Sequence, residues 1–557
     1  MTATGSSADH GLLLGPFLRH VGTTTASVWV ETAAPGEVEV LGHTARTFTV
    51  QDQHYALVVV RDLEPGTCRT YEVHLDGERV WPLEHSGMPA SRIRTRATTD
   101  IVANPARQRI VFGSCRYPPT GDEQLEREYG VDALDAYAAR LLARMRDIGS
   151  DAAAAAELPD ALCLLGDQIY ADETTPRTQE WIRERRGGDG GAGLEIADYP
   201  EYAHLYAESW SDPELRWLFS TVPTSMIFDD HDIRDDWNTS LAWREEMAGQ
   251  DWWATRIRAG LASYWVYQHL GNLDPDTLAG DELYQAVMAA DGDVWPLLEA
   301  YAARADAAVG QPEGVRWSYR WDLGRTRLLI VDSRCGRVLN AQDRLMINDD
   351  TFTWIEQQAS EDPQQVDHLL LGSSIPWLMP PAASQVQMMN ERSAAAGSRL
   401  AEKLRQAVDL EHWPAFRASF DRLARLVERV GSSSSAPQTV CVLSGDVHHS
   451  YAARAGFATP TRSRVYQLTC SPVRNGVPWF MEYVFDAGWT RPVVGAVRRL
   501  GRWWGVPDDP VAWDPIGGPW FGNAVATLEI HGRSARVRFE RSGRDGTLDG
   551  IADLPLS

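Results

Sequence analysis

The chain has 557 residues, of which 44% are hydrophobic and 23% charged, a composition typical of globular proteins and a length too great for one compact core. Its 53 basic and 77 acidic side chains give a net charge of −24, which repels nucleic-acid phosphates and anionic lipid surfaces. Non-specific nucleic-acid binding is therefore not expected, and a phosphate-bearing substrate would need local cations at its site.

The beginning of the chain, MTATGSSADHGLLLGPFLRH, lacks a basic n-region, a twin-arginine pair and a long apolar run. We therefore expect a cytoplasmic protein. No stretch approaches the roughly eighteen continuous apolar residues of a membrane span, so none is predicted. The six cysteines are scattered without paired spacing, which favours reduced thiols in a chain of this size. The sequence leaves the oligomeric state open.

Short alternating strands separated by turn residues occupy the chain from about residue 11 to residue 98. The segment LEPGTCRTYEVHL resembles the corner of a fibronectin type III-like sandwich, in which a tyrosine, here Tyr71, bonds back to the corner. We predict a small all-β N-terminal domain over residues 1–100 with a structural or docking role. The clearest strands are ASVWVET (26–32), EVEVLG (37–42), HYALVVVRDL (54–63) and RTYEVHLDG (69–77).

Beyond residue 100, continuous apolar runs alternate with helical patterns, which is typical of strands buried on both faces of a layered α/β sheet. We predict a second domain over residues 101–557, with a helical insertion at about 235–310 that could roof the site. NAVATLEIHG and ARVRFERS should complete a sheet edge. The strand candidates are RIVFGSC (109–115), ALCLLGD (161–167), SMIFDDHD (225–232), TRLLIVDSR (326–334), DHLLLGSS (367–374), TVCVLSGD (439–446) and RVYQLTC (464–470), and the helix candidates are 131–147, 241–270, 282–308 and 396–430.

Four of these strands end in side chains that can bind metals. In open α/β sheets, ligands bind at the carboxyl ends of strands, so side chains from distant parts of the sequence converge there. One polar strand end means little, but four that carry Asp, His, Tyr or Cys indicate a common site. The blocks are FGSCR with Cys115, LLGDQIYAD with Asp167 and Tyr170, IFDDHDIRDD with Asp229 to Asp236, and LSGDVHHS with Asp446 and His448.

The donor types in these blocks suit a mixed metal centre. A thiolate, a phenolate, an imidazole and several carboxylates together favour trivalent iron beside a harder divalent cation. Asp167 follows a glycine at a strand end and could reach both ions, and Tyr170 lies three residues further on. Asp446 and His448 stand at i and i+2, which predicts one face of an extended segment, close enough to serve two ions.

The blocks GSCRYP, GDQIYADE, DDHD and SGDVHHS, in this order behind a β-domain, resemble the PhoD-like alkaline phosphatase D family of the metallophosphoesterases. The resemblance covers essentially the whole chain, and YRWDLGRTRLLIVDSRCGR (319–337) and LEHWPAFR (410–417) extend it. It implies a metallophosphoesterase-like layered α/β sandwich and a metal-dependent phosphatase or phosphodiesterase that hydrolyses small-molecule phosphate esters.

Carried over to this chain, the family's metal ligands fall on residues of the four blocks. Asp167 would be shared between two ions. Fe3+ would be surrounded by Cys115, Asp167, Tyr170 and His448, and Ca2+ would be held by Asp446, Asp167 and an acid of the DDHD block, Asp230 in preference to Asp229.

A second Ca2+ is also implied, with Asp235 as its candidate ligand. The sequence departs from the family at two places. An asparagine commonly stands near Asp235, where this chain has DDW, and the replacement adds negative charge. LEHWPAFR stands where the family is closer to Trp-Asp-Gly-Tyr, a difference expected to affect substrate preference rather than the metal core.

In the mechanism that the resemblance implies, a hydroxide bridging two metal ions attacks phosphorus in line. His231 is the candidate general acid for the leaving alkoxide. Arg116 could cap a phosphoryl oxygen or pair instead with site carboxylates, and Arg334 could face the cleft or form a structural salt bridge. The rival hypothesis is a non-catalytic phosphate- or glycan-binding protein on the same scaffold. Against it, no expected ligand type is missing.

Overall fold

The structure, a computed structural model, describes residues 11–84, 86–98, 107–146, 148, 150–188, 190–311, 314–340, 343–476 and 479–557. The predicted domain boundary near residue 100 lies in the segment 99–106, outside these residues, so the division into domains 1–100 and 101–557 stays a prediction. In the part of the chain that is described, no helix is both long enough and apolar enough to cross a membrane.

The N-terminal region is a small all-β structure, as predicted. Its strands are β1 (Leu12–Val21), β2 (Ala26–Thr32), β3 (Glu37–Val40), β4 (His43–Arg46), β5 (Phe48–Val50), β6 (Gln53–Val60), β7 (Cys68–Thr70), β8 (Val73–Leu75), β9 (Glu78–Trp81) and β10 (Arg92–Arg94). One sheet has the order β1-β2-β6-β5, a second the order β4-β3-β8-β9, and β7 pairs with β10. Val28 and Val30 on β2 face the core between these sheets, whereas Trp29 faces the opposite side.

That opposite side packs on the rest of the chain. Trp29 and Tyr55 belong to a core that continues through Tyr267, and the hydroxyls of Tyr55 and Tyr267 share a hydrogen bond of 2.9 Å. Arg19 on β1 is fully buried and donates to the carbonyls of Tyr267 and Gln268 at 2.9 and 2.6 Å. The N-terminal sheets are therefore fused to the larger region through a shared core.

Tyr71 differs from the fibronectin-like corner that its sequence context predicted. Its hydroxyl donates to the backbone carbonyl of Ser220 at 2.6 Å, and that residue lies in the larger region of the chain. The Ser91 hydroxyl, from the N-terminal region, bonds to the Ser220 hydroxyl at 2.6 Å. The corner therefore docks one region on the other, because the buried phenol finds its acceptor at the end of a helix in the larger region.

The larger region contains two mixed sheets. Their strands are β11 (Arg107–Gly113), β12 (Ala161–Leu165), β13 (Thr224–Ile227), β14 (Tyr319–Leu323), β15 (Thr326–Val331), β16 (His368–Ser373), β17 (Thr439–Ser444), β18 (Ser450–Phe457), β19 (Arg464–Thr469), β20 (Val511–Trp520), β21 (Ala524–His531), β22 (Ser534–Ser542) and β23 (Leu548–Pro555). The first sheet has the order β13-β12-β11-β21-β22-β23, and the second the order β14-β15-β16-β17-β19-β18-β20. β21 and β22 extend the first sheet towards its edge, as predicted.

The two sheets pack face to face, and their outer faces are covered by helices. Along β15, Leu328 and Ile330 belong to the core shared by the sheets, whereas Leu329 and Val331 belong to a separate core under the helices. The sheets approach so closely that a Cβ on Gly372 of β16 would lie 2.4 Å from Ile330 and 3.1 Å from a β12 side chain. Strands buried on both faces are thus confirmed.

Helices fill the connections between strands. They are α1 (Glu123–Tyr129), α2 (Ala133–Arg146), α3 (Asp151–Glu157), α4 (Pro176–Arg186), α5 (Tyr199–Trp210), α6 (Pro213–Thr221), α7 (Leu241–Ala248), α8 (Trp253–Tyr264), α9 (Leu270–Asn272), α10 (Pro275–Ala279), α11 (Glu282–Ala289), α12 (Trp295–Ala307), α13 (Asp349–Ser360), α14 (Pro381–Ala395), α15 (Arg399–Ala407), α16 (Arg417–Ser432), α17 (Trp479–Gly488) and α18 (Arg491–Trp503). A π-helical turn, Trp265–His269, joins α8 to α9.

Three of the predicted helices are interrupted. The segment 241–270 divides into α7, α8 and the π-helical turn, the segment 282–308 into α11 and α12, and the segment 396–430 into α15 and α16. Pro296 opens α12, and Pro414 lies in a short 3₁₀ turn before α16. Proline has no backbone N–H and is accommodated in the first turn of a helix, so each of these residues favours a new start over a continuous helix.

Glu31 on β2 is buried at the contact between the two regions. Burial raises its pKa to about 8, and the Tyr267 hydroxyl donates to it at 3.1 Å. The folded protein keeps this proton to about pH 8, whereas the unfolded chain releases it near pH 4.5, so rising pH in that interval favours unfolding.

We expect the Tm of the wild type to fall more from about pH 5 to pH 8 than that of Glu31→Gln. Thermal melts measure this, and parallel curves would contradict it.

Candidate metal centre

The candidate site lies where the ends of the two sheets meet. β11, β12 and β13 run parallel in the first sheet, and the polar blocks follow them and β17 of the second sheet directly. The backbone N–H of Asp446, after β17, donates to the Ser114 hydroxyl, after β11, at 3.1 Å. A Cβ on Gly445 would lie 1.9 Å from that hydroxyl oxygen, so only glycine allows this approach. The contact brings the Cys115 and Asp446 blocks together.

Three buried carboxylates, those of Asp167, Asp229 and Asp230, form the centre of the site. Each offers one oxygen, and these oxygens lie within 4.8 Å of one another. In the described part of the chain, no hydrogen bond reaches the buried Oδ1 of Asp167 or Oδ2 of Asp229. Burial, reinforced by neighbouring acids, raises the pKa of both residues well above the ordinary value. A cation would satisfy the unpartnered oxygens, so these residues fit a metal ion.

A buried guanidinium, that of Arg334, supplies positive charge beside this cluster. Its Nε contacts Asp229, and its Nη2 lies 3.1 Å from Asp230 and 3.4 Å from Asp446. Its Nη1 pairs with Glu411 at 2.5 Å. The sequence left open whether Arg334 faces the cleft or forms a structural salt bridge. In the structure Arg334 forms salt bridges, and its partners are the acids of the site itself.

The thiol and the phenol predicted as iron ligands lie beside Asp167. Cys115 is buried, and the Ser471 hydroxyl donates to its Sγ at 3.4 Å. The Tyr170 hydroxyl donates to Asp167 Oδ2 at 3.5 Å and accepts from the Asn475 amide at 2.8 Å. Burial and the charge of Asp167 raise the pKa of both groups well above their ordinary values. A trivalent cation is the kind of charge that would stabilise their ionised forms.

Asp446 and His448 lie in a tight turn, whereas their i, i+2 spacing predicted an extended segment. Their φ angles are 68° and 48°, and the His448 N–H donates to the Asp446 carbonyl at 2.7 Å. The prediction was wrong because β17 ends at Ser444, before these residues. Residues other than glycine persist in this conformation only when their surroundings hold them. Burial lowers the pKa of His448 to about 4, so its imidazole is neutral at pH 7, the form that binds metals.

His412, in the LEHWPAFR segment, holds Asp446 from another side. Its Nε2 lies 2.7 Å from Asp446 Oδ2. The Gln387 side chain on α14 accepts from the His412 backbone N–H at 3.2 Å and donates to Nδ1 at 2.9 Å. Nδ1 is therefore an acceptor, and Nε2 carries the proton that Asp446 accepts. Against the effect of burial, the hydrogen bond from His412 holds the pKa of Asp446 well below its ordinary range.

His231, the predicted general acid, pairs with Asp172. Its Nδ1 lies 3.0 Å from Asp172 Oδ1, and its ring centroid lies 4.8 Å from that of Tyr170. Burial opposes protonation, but the charge of Asp172 raises the pKa of His231 well above its ordinary value. The same pairing lowers the pKa of Asp172 to about 2 in spite of burial. The pair is therefore an imidazolium and a carboxylate at neutral pH.

Two further predicted residues lie at the margin of the site. Arg116 is buried, and its guanidinium lies 2.7 Å from Asp132 and donates to the Ser209 carbonyl at 2.6 Å. These partners stand outside the four strand-end blocks, so the observed contacts of Arg116 are structural. The Asp235 side chain is 60% exposed and lies 3.9 Å from His231 Nε2, at the solvent edge of the site.

Sequence reasoning missed several groups around the centre. Asp172 stands in the same GDQIYAD block as Tyr170, so its position was a usable signal. Ser374 follows the strand DHLLLGS, and its hydroxyl donates to Asp229 at 2.9 Å, so the strand-end rule would have found it. His412 stands in LEHWPAFR, which the sequence connected with substrate preference rather than with the metal core, and Asn475 lies in an irregular segment without a sequence signal.

Solved structures share the architecture of two apposed sheets. The solved structure of PhoD matches 99% of this chain and 90% of its own at 13% identity with a TM-score of 0.56, which shows the fold. A purple acid phosphatase from yellow lupin seeds matches 97% of this chain and 74% of its own at 12% identity and a TM-score of 0.45. The match to a dimetal phosphatase from Danio rerio covers 81% of this chain and 98% of the phosphatase, at 10% identity and a TM-score of 0.34.

The sequence itself assigns the family. The model of the PhoD-like phosphatase family matches residues 149–483, more than half of the chain, and a domain of unknown function, DUF7800, matches residues 9–93. The chain belongs to the PhoD-like phosphatase family, which supports a metal-dependent phosphoester hydrolase and confirms the resemblance stated from its motifs. No curated protein matches the sequence.

The variant Asp167→Asn tests whether the carboxylate centre is built for a cation. Without metal, the substitution removes a buried acid that lacks a full set of partners, so we expect stability to rise by about 1–3 kcal/mol. With metal, the wild type gains stability from binding and the variant loses most of that gain, so the order should reverse. Thermal melts with chelator and with added Fe3+ or Ca2+ measure the stability difference between the variant and the wild type in each condition.

Asp251→Asn, at an exposed position, is the matched control and should leave stability unchanged in both conditions. Loss of stability in Asp167→Asn under both conditions would assign Asp167 a structural hydrogen-bonding role and contradict the cation site.

Proposed function

We propose that this chain hydrolyses small-molecule phosphate esters at a centre that holds Fe3+ and Ca2+, as an alkaline phosphatase or phosphodiesterase. The observation that carries the proposal is the cluster of Asp167, Asp229 and Asp230, in which two buried oxygens lack a partner in the described chain. Membership of the family supplies the reaction class. Cations are needed because an acidic cluster alone would repel a phosphate.

The proposed ferric site uses the softer and phenolic donors. Cys115, Tyr170 and His448 would hold Fe3+ together with Asp167. The hydrogen bond between Tyr170 and Asp167 and the neutral imidazole of His448 support this assignment. Protein thiolates and phenolates are ligands suited to a trivalent ion, since its charge compensates for their desolvation.

The proposed calcium site uses carboxylates alone. Asp230 and Asp446 would hold Ca2+ with the shared Asp167, and we add Asp229, because it belongs to the same cluster. Asp235, at the solvent edge, is the candidate for a second Ca2+. Carboxylate oxygens at flexible geometry are the ligands that calcium prefers.

When bound, the cations would neutralise phosphoryl oxygens and lower the pKa of a water molecule that serves as nucleophile. The residues of the chain orient the groups around them. Arg334 holds Asp229 and Asp230, and Asp172 holds Nδ1 of His231, so that the Nε2 proton is left for the leaving oxygen. The His231 side chain is 18% exposed, which leaves it within reach of a bound ester.

Metal analysis and visible absorption test the metal assignment. We expect purified protein to contain iron and calcium, to show a tyrosinate-to-iron charge-transfer band, and to turn over a panel of mono- and diesters. Tyr170→Phe should abolish the band. Tyr117→Phe is the matched control, because its buried ring lies 5.2 Å from that of Tyr170 without being a proposed ligand.

A band that survives Tyr170→Phe would show that another tyrosine supplies the phenolate ligand.

Cys115→Ala should lose turnover while the protein stays folded. A metal-loaded wild type that turns over none of the esters would instead support a protein that only binds phosphate.

The proton-transfer role of His231 predicts a dependence on the leaving group. His231→Asn should slow alkyl phosphate esters by about 10²–10⁴-fold, because an alkoxide leaves poorly without a proton. p-Nitrophenyl esters should be slowed much less, because their phenolate leaves unassisted. Measured kcat/KM across the series distinguishes these effects. His204→Asn, at a histidine that stacks on Trp181, is the control, and an equal loss for all esters would contradict proton transfer.

A further inference from the structure

Exposed hydrophobic side chains concentrate on the outer faces of α15 and α18, two helices that both pack on α14. On α18, Val493, Leu500 and Trp503 are exposed and share one helical face by their spacing. On α15, Leu400 and Leu404 are exposed four residues apart. Trp503 is 79% exposed and Leu400 is 78% exposed. Clustered apolar groups of this kind mark an interaction surface.

Both helices lie beside the same end of α14. The Trp504 indole N–H donates to the Ser393 hydroxyl at 3.0 Å, and Arg392 donates to the Trp504 carbonyl at 3.3 Å. The end of α18 therefore lies on the last turn of α14, and α15 begins at Arg399, a few residues further along the chain. We call the outer faces of α15 and α18, with Trp503, the basic–apolar face.

The charge of this face is opposite to that of the whole chain. Between Ala487 and Pro507 the sequence has four arginines and no acid, in a chain of net charge −24. Glu402 on α15 pairs with Arg405, and Asp508, which follows α18, pairs with Arg502. On these two helices, five basic side chains form no ion pair with any described residue: Arg399, Lys403, Arg491, Arg498 and Arg499.

We propose that the basic–apolar face docks on an anionic membrane surface. A helix with an apolar stripe flanked by arginines lies in the plane of the membrane interface, with its apolar side among the acyl chains and its arginines at the headgroups. Tryptophan favours the same depth. Charge complementarity favours a membrane over a second copy of the chain, since two copies would bring like charges together. The acidic remainder of the surface is repelled by such a membrane, so docking selects this face.

The candidate metal centre is contacted through α14 and lies a few residues along the chain from α15. α15 ends at Ala407, and five residues later His412 contacts Asp446. α14, on which both helices pack, carries Gln387, which orients that imidazole. A protein docked through the basic–apolar face would therefore hold its candidate site close to the membrane. The docking itself rests on the face alone and does not require the proposed metals.

Vesicle co-sedimentation of the full-length protein tests the proposal. We expect binding to phosphatidylcholine vesicles that contain about 30% phosphatidylglycerol, no binding to phosphatidylcholine alone, and release as salt rises to about 0.5 M. The double variant Arg491→Glu, Arg499→Glu should reduce the bound fraction about tenfold or more. The variant Leu500→Asp, Trp503→Asp should reduce it similarly. The control Arg69→Glu, Arg544→Glu makes the same charge change at exposed arginines outside the face and should bind as the wild type does.

Melting temperatures equal to that of the wild type establish that the variants fold. A wild type that ignores anionic vesicles, or a charge-reversed variant that binds them undiminished, would overturn the proposal. Light scattering tests whether a second copy of the chain covers the face instead. A wild-type dimer that Leu500→Asp dissociates would show that a second copy covers the face, and that result would overturn membrane docking as well.

Discussion

Buried negative charge at the meeting edges of two sheets is the constraint on which the site depends. Removing an unpaired carboxylate from water costs several kcal/mol, so charges gathered in this way must be compensated. Arg334 compensates in part, since its guanidinium contacts four acids from three different segments. Two buried oxygens nevertheless lack a partner among the described residues. Asp167 and Asp229 carry these oxygens, which are therefore the positions at which the proposed cation would bind.

The N-terminal sheets support this centre through a chain of hydrogen bonds. Arg19 on β1 donates to the carbonyl of Gln268, whose side chain donates to Asp232 at 3.1 Å. Asp232 in turn accepts from the backbone N–H of Asp229 at 2.9 Å. Gln268 lies in the π-helical turn, a feature often found at functional sites because it redirects side chains. The all-β region thus braces the loop that carries two of the three clustered carboxylates.

The sequence predicted the strands and the residues at their ends better than the tertiary contacts of those residues. ASVWVET matches β2 residue for residue, because turn residues on both sides mark the ends of a short strand rich in valine and tryptophan. The convergence of Asp167, Asp229 and Asp446 followed from the strand-end rule. Asp230 was preferred over Asp229, yet both belong to the cluster, because the chain turns directly after β13 and presents neighbouring residues together. His412 meets Asp446, and Gln387 on α14 meets His412, only through tertiary packing, which no local pattern encodes.

The net charge was the weakest basis for predicting binding partners, because it sums charges that lie too far apart to act on the same partner. Exposed charges are screened within about 8–10 Å at ordinary ionic strength, so a surface responds to the residues that face it and to few others. The total of −24 includes acids buried at the metal centre, whose charge is neutralised locally by Arg334 and His231. It also includes the basic segment from Ala487 to Pro507, which has the opposite sign. An acidic protein can therefore present one basic face and one cation-binding centre, and each is governed by its immediate neighbours.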